Sequence, residues 1–162
     1  MGIVNHGLFS SLRGNWKTPK ALYQALDAEF RFDFDPCPAN PGFDGLNIEW
    51  GKANFVNPPY GREIGKWIEK GYKEYLNGKT IVFLLPSRTD TNWWHNYIME
   101  ADEIRFIKGR LKFDDNKNSA PFPSAIAIFR NQTTWKTELT EHKTNHCISP
   151  KSIVTGSGLY TQ

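Results

Sequence analysis

Thr80 is followed by an unbroken apolar run, Ile81-Val82-Phe83-Leu84-Leu85, which Pro86 closes. A strand with one wet face alternates apolar and polar residues. An unbroken run of this length and composition is instead buried on both faces, as in a parallel sheet covered by helices. The rest of the chain must then supply helices for two faces. Ile64, Trp67, Ile68, Tyr72 and Tyr75 recur at helical spacing, which predicts a helix from about Glu63 to Leu76, ended by Asn77-Gly78. Upstream, Thr18 reads as an N-cap and Pro19 as the first position of a helix carrying Leu22, Ala25 and Leu26. Downstream, Asp90 or Thr91 can cap a helix bearing Trp93, Trp94, Tyr97, Ile98 and Ala101.

Five further segments read as strands. Phe30-Arg31-Phe32-Asp33-Phe34-Asp35 alternates at period two and is stopped by Pro36. Ala53-Asn54-Phe55-Val56-Asn57 is short and runs into two prolines, and Ala125-Ile126-Ala127-Ile128-Phe129 lies near the far end. Between them, Glu103 to Ile107 and Arg110 to Phe113 read as a strand pair. The stretch from Pro36 to Lys52 is crowded with Pro, Gly and Asn and reads as loop. Helices alternating with strands in this way predict an α/β layered domain with a mainly parallel sheet. Residues 1–15 read as a flexible lead-in, 16–130 as the folded domain, and 131–162 as a polar extension, partly disordered, with one short helix near Trp135 to Lys143.

Composition removes several classes. The 162 residues, 39% hydrophobic and 23% charged, suit one domain with a real core. No apolar run approaches the ~20 residues that span a bilayer. The start lacks a basic region followed by an apolar one, and Gly2 makes only a weak match to a myristoylation signal, so a soluble cytoplasmic setting is expected. Cys37 and Cys147, with four scattered histidines, form neither a disulfide framework nor a metal site. The net charge of +3 is compatible with an anionic partner without demanding one. Aromatic residues make up 14%, with six Trp, enough to serve both a core and a stacking surface.

Ligands of open α/β sheets bind at the carboxyl ends of the strands. Three such ends carry polar residues here: Asp35-Pro36-Cys37, Asn57-Pro58-Pro59-Tyr60 and Ser87-Arg88-Thr89-Asp90. The second has a chemical logic of its own. An amino group conjugated to a ring is a poor nucleophile because its lone pair is delocalised. The Asn57 side-chain oxygen and the Pro58 carbonyl can each accept a hydrogen bond from it, drawing the nitrogen towards tetrahedral geometry and stabilising its growing positive charge. Pro58 and Pro59 stiffen the turn, and Tyr60 offers a flat face for a base taken out of its stack. An ordinary strand-terminating turn is the plain alternative.

These residues, with Trp16-x-Thr18-Pro19, Leu84-Leu85-Pro86, Gly109-Arg110-x-x-Phe113 and Pro121-Phe122-Pro123-Ser124, occur in an order that resembles the phage-type DNA N6-adenine methyltransferases. The resemblance runs from about Trp16 to Phe129. It implies a reduced Rossmann-like methyltransferase sheet, mainly parallel with an antiparallel C-terminal strand, with helices on both faces. It also implies S-adenosylmethionine as cofactor and DNA as partner. By that resemblance Asn57, Pro58, Pro59 and Tyr60 are the catalytic turn, and Trp16, Thr18, Pro19, Asp35, Cys37 and Asn57 border the cofactor. Asp35 would pair with the cofactor ammonium, and the helix start at Thr18-Pro19 would meet its carboxylate. A strand-end turn and a capped helix with nothing bound are the plain alternatives for these two.

Ser87, Arg88 and Asp90 would border the base pocket, with Phe113 or Phe122 as its second aromatic wall, although core packing suits either ring and Arg88 can equally be a surface charge. Arg105, Lys108, Arg110, Lys112 and Lys117 form the densest basic stretch, suited to phosphates or to plain solvent. The chain departs from the class in two ways. It has no Gly-x-Gly turn after Asp35, and just over twenty residues separate Asp35 from Asn57, too few for the two strands usually inserted there. Asp44 and Glu49 are candidates, by location alone, for an acidic partner of the cofactor ribose. Other acceptors (an RNA base, a protein glutamine amide) stay open, as does a non-catalytic DNA-binding module. No separate target-recognition domain fits in the chain, so a homodimer would add DNA-contacting area.

Overall fold

In the computed structural model, which describes residues 17–38, 42–113, 119–131 and 146–148, the apolar run becomes strand β2 (Thr80–Pro86), buried throughout after Thr80. It pairs in parallel with β1 (Ala53–Val56) and antiparallel with β4 (Ser124–Phe129). β4 also pairs antiparallel with β3 (Glu103–Ile107), and β3 pairs in parallel with β5 (His146–Ile148), giving the order β1-β2-β4-β3-β5. Among the described strands β4 alone is reversed. It lies inside the sheet and not at the chain's end; β5, drawn from the polar extension, forms the edge.

Helices cover both faces. Phe55 and its partner Val82 share one face, where Tyr23 of helix α1 (Lys20–Phe30) meets Phe55 edge-on at 5.1 Å. Val56 and Phe83 share the other, where Gly71 of helix α2 (Ile64–Leu76) backs onto the Phe83 ring. A methyl group at Gly71 would run into that ring and stand 3.0 Å from Trp50, so the close approach requires glycine. The far end of α2 is pinned by Glu74, which is buried and holds Lys70 and Lys79 at 2.6 Å each.

The helix boundaries differ from the expected ones for identifiable reasons. Tyr23 N–H donates to the Pro19 carbonyl at 3.0 Å, and the N-cap residue makes no side-chain cap hydrogen bond. Pro19 is therefore the N-cap, not the first helical residue, and Thr18 does not cap. At its other end α1 takes in Phe30 and stops where Arg31 turns left-handed, φ 53°, with Asp27 accepting from Arg31 N–H through its carbonyl and from Phe32 N–H through its carboxylate. The strand expected over 30–35 shrinks to one parallel bridge, Phe34 opposite Asn54. The Asp33 carboxylate accepts from Lys52 and Ala53 N–H at 3.1 and 2.9 Å, taking donors that a longer ladder would have used.

Two more segments are shorter than expected. Helix α3 (Asn92–Asn96) gives way at Tyr97 to a 3₁₀ turn, Ile98–Glu100, instead of continuing to Ala101. Residues 110–113 form no strand: Gly109 turns the chain at φ 85°, and the Leu111 carbonyl accepts from Ala120 N–H outside any ladder. No strand occurs among the described residues between Phe34 and β1, in keeping with the shortened connection. The lead-in, Trp16, Lys117 and the expected helix near Trp135 to Lys143 lie outside the described residues.

Candidate active site

β1 ends at Val56, and Asn57 follows on the face that α1 covers, by alternation from Phe55. Its side-chain nitrogen donates to the Thr18 hydroxyl oxygen at 3.0 Å, and its side-chain oxygen is buried. Pro58 is buried and Pro59 half-buried. Tyr60 is 7% exposed, and its hydroxyl donates to the Leu84 carbonyl at 3.1 Å, tying the turn after β1 to the neighbouring strand. Burial pushes the Tyr60 hydroxyl pKa up, so it stays a neutral donor.

Phe113 and Phe122 both reach Tyr60, with ring centroids at 6.4 and 5.4 Å and interplanar angles of 78° and 75°. They meet its ring edge-on instead of facing it across a slot. Phe113 is fully buried among core residues, whereas Phe122 is only partly covered.

Asp35 follows the Phe34 bridge, and its carboxylate accepts from Cys37 N–H at 2.8 Å. Burial pushes its pKa up, against the lowering effect of that hydrogen bond. Its charge also raises the Tyr23 hydroxyl pKa, so Asp35 lies on the side of α1 that carries the Tyr23 ring. The Cys37 thiol is pushed up by burial and by Asp35, leaving it protonated and inert. Asp44 and Glu49 have other work. Asp44 is exposed and accepts from Leu46 N–H and the Asn47 amide, and exposed Glu49 pairs with Lys79.

At the end of β2, Ser87 N–H donates to the Pro123 carbonyl at 2.9 Å, extending the ladder with β4. The Ser87 and Ser124 hydroxyls are buried with no hydrogen-bond partner among the described residues. Arg88 and Asp90 are exposed. The basic stretch divides. Arg105 is gripped by Glu29 and Glu103 at 2.6 Å, and Arg130 by Glu103 at 2.7 Å, both guanidinium groups lying over the Phe30 ring at 5.8 and 5.3 Å. Lys108, Arg110 and Lys112 are exposed and lead directly into Phe113. Among the described residues no cluster of His, Cys, Asp and Glu could hold a metal ion, and no helix is long and apolar enough to cross a membrane.

The structure thus holds Asn57, at the carboxyl end of β1, against Thr18 and sets Asp35 just after the Phe34 bridge to that strand. It gathers Phe113 and Phe122 around Tyr60 of the proline turn. Arg88 and Asp90 stay outside this group in the exposed loop after β2. Two features escape sequence reasoning. The Thr18–Asn57 bond spans 39 positions and leaves no local mark. Ser124 left one: a lone hydroxyl at the head of a wholly apolar strand.

The family model for DNA N-6-adenine-methyltransferase (Dam) matches residues 7–146. A relative from Haemophilus phage HP1 (strain HP1c1), called DNA N-6-adenine-methyltransferase, is 27% identical over 158 residues, covering 86% of this chain and 91% of the relative.

Proposed function

This chain belongs to the DNA N-6-adenine-methyltransferase (Dam) family, and from that premise we propose that it transfers a methyl group from S-adenosylmethionine to the N6 amine of an adenine flipped out of DNA. The observation that carries the reading is the position of Asn57-Pro58-Pro59-Tyr60: at the carboxyl end of a buried strand, with the Asn57 amide held by Thr18 and Tyr60 anchored to the neighbouring strand.

The residues present fit the amino-acid end of the cofactor. Asp35 is a half-buried carboxylate, suited to an ammonium group, and the first turn of α1, whose N-cap Pro19 offers no side-chain cap, suits a carboxylate. At the ribose end the two acidic candidates, Asp44 and Glu49, are otherwise engaged. When bound, S-adenosylmethionine supplies an electrophilic methyl group. Asn57 Oδ1 and the Pro58 carbonyl accept the two N–H bonds of the target amine, and the positive charge growing on nitrogen strengthens both bonds during attack. The proton released afterwards goes to water.

The Tyr60 ring supports the base, and Phe122, the partly covered ring, is the one that turns to receive it. Extracting the base costs a few kcal/mol, which phosphate contacts from Lys108, Arg110 and Lys112 offset. An α/β sheet with one reversed strand beside β2 agrees with the Rossmann-like class.

The test is direct. Purified protein, S-adenosylmethionine and unmethylated DNA should yield N6-methyladenine in the digested product, with RNA and a glutamine-containing protein as parallel acceptors. Asn57→Ala should reduce the DNA signal at least a hundredfold. Methylation only in an alternative arm, or an unimpaired Asn57→Ala protein, would overturn the reading.

A further inference from the structure

We propose that Thr18 is a positioning residue for this reaction: its hydroxyl holds the Asn57 side-chain nitrogen so that the amide oxygen is the end presented to the target amine. The inference rests on the function proposed above. An asparagine amide has a donor end and an acceptor end of nearly the same shape, and only hydrogen bonding decides which way it points. Turned the wrong way, Asn57 would set N–H against N–H and could not stabilise a positive nitrogen. A hydroxyl can donate as well as accept, but once its own proton is given to the cofactor carboxylate only its lone pairs face Asn57, which removes that orientation. Thr18 Oγ1 stands 3.0 Å from Nδ2.

Local structure does not explain this hydroxyl. A threonine just ahead of a helix ordinarily caps it, yet the N-cap of α1 is Pro19, and the Thr18 hydroxyl is spoken for by Asn57. The side chain is also stiff. Branching at Cβ limits its rotamers, and the following proline confines its backbone to the extended region. Its oxygen therefore has few positions open to it, so little ordering remains to be done when substrate arrives. Having accepted from Asn57, the hydroxyl still has its own proton to donate, so contact with the cofactor carboxylate would not displace it.

Thr18→Val keeps the shape and removes the acceptor, while Thr18→Ser keeps the acceptor. In the full chain, kcat for DNA methylation should fall about tenfold or more in Thr18→Val and return to within about threefold of wild type in Thr18→Ser. The KM for DNA should be little changed. A second readout is independent of activity. By NMR, the Asn57 side-chain amide protons should exchange slowly with water in the wild type, quickly in Thr18→Val, and slowly again in Thr18→Ser. A Thr18→Val protein with wild-type kcat overturns the proposal, whether or not cofactor affinity drops, because Thr18 is then only a cofactor contact. Rapid exchange of the Asn57 amide in the wild type overturns it without any variant. Absence of methylation by the wild-type protein would instead remove the proposed function, and the exchange measurement would still report on the Thr18–Asn57 bond.

Discussion

The Tyr60 hydroxyl donates to the Leu84 carbonyl across 24 positions of sequence, joining the proline turn to the buried strand beside it. The ring and the hydroxyl of this residue are therefore separable. Tyr60→Phe removes one buried hydrogen bond and should cost about 1 kcal/mol, seen as a small drop in unfolding midpoint, with methylation retained. Tyr60→Ala also empties the space between Phe113 and Phe122 and should cost about 3 kcal/mol or more, with methylation abolished. If both variants were equally inactive while staying folded, the hydroxyl would matter for chemistry and not only for anchoring.

Asp35 should trade stability for binding. Its folded-state pKa lies above the ordinary carboxylate value because of burial, so across the window between the two values the folded protein holds more proton than the unfolded chain. Stability from this group is thus full below the ordinary value and falls as pH rises through the raised one. Asp35→Asn should raise the melting temperature at neutral pH and show no advantage in acid. Calorimetry should find S-adenosylmethionine binding weakened roughly tenfold to hundredfold by the same substitution, as expected when a charge-assisted bond is removed. Wild-type affinity should rise with pH across the window, and the variant's should stay flat.

The two halves of the basic stretch should behave oppositely. Replacing Lys108, Arg110 and Lys112 by alanine should lower the slope of log affinity for DNA against log salt, by roughly 0.9 for each phosphate that is no longer neutralised, with stability little changed. Arg105→Ala should leave that slope alone. It should cost about 1 kcal/mol of stability, since Glu29 and Glu103 then share Arg130 alone. A changed slope in Arg105→Ala would place that guanidinium on DNA after all.

These contrasts show where sequence reasoning worked. Period and run length located α1, α2, β2 and β4, because a buried face needs apolar side chains at the spacing of its own backbone. The turn at Asn57 was legible because a strand running into two prolines must stop there. The alternation over Phe30 to Asp35 was real as a pattern, but Asp33 spends its carboxylate on Lys52 and Ala53, and the ladder never extends. Phe113 and Phe122 looked alike in sequence; only the fold buries one and leaves the other partly open.

Residue chemistry and spacing along the chain fix the alternation of helices and strands, the unbroken burial of β2, the shortness of the connection before β1, and the proline turn at Asn57. Each follows from interactions among residues near one another in the chain, or from side-chain chemistry alone. Tertiary structure decided that Thr18 serves Asn57 and not its own helix, that Arg105 belongs to Glu29 while Arg110 stays exposed, and that β5 closes the sheet. Polar side chains of one type have many possible partners, and which is chosen depends on distances that exist only once the apolar faces have packed.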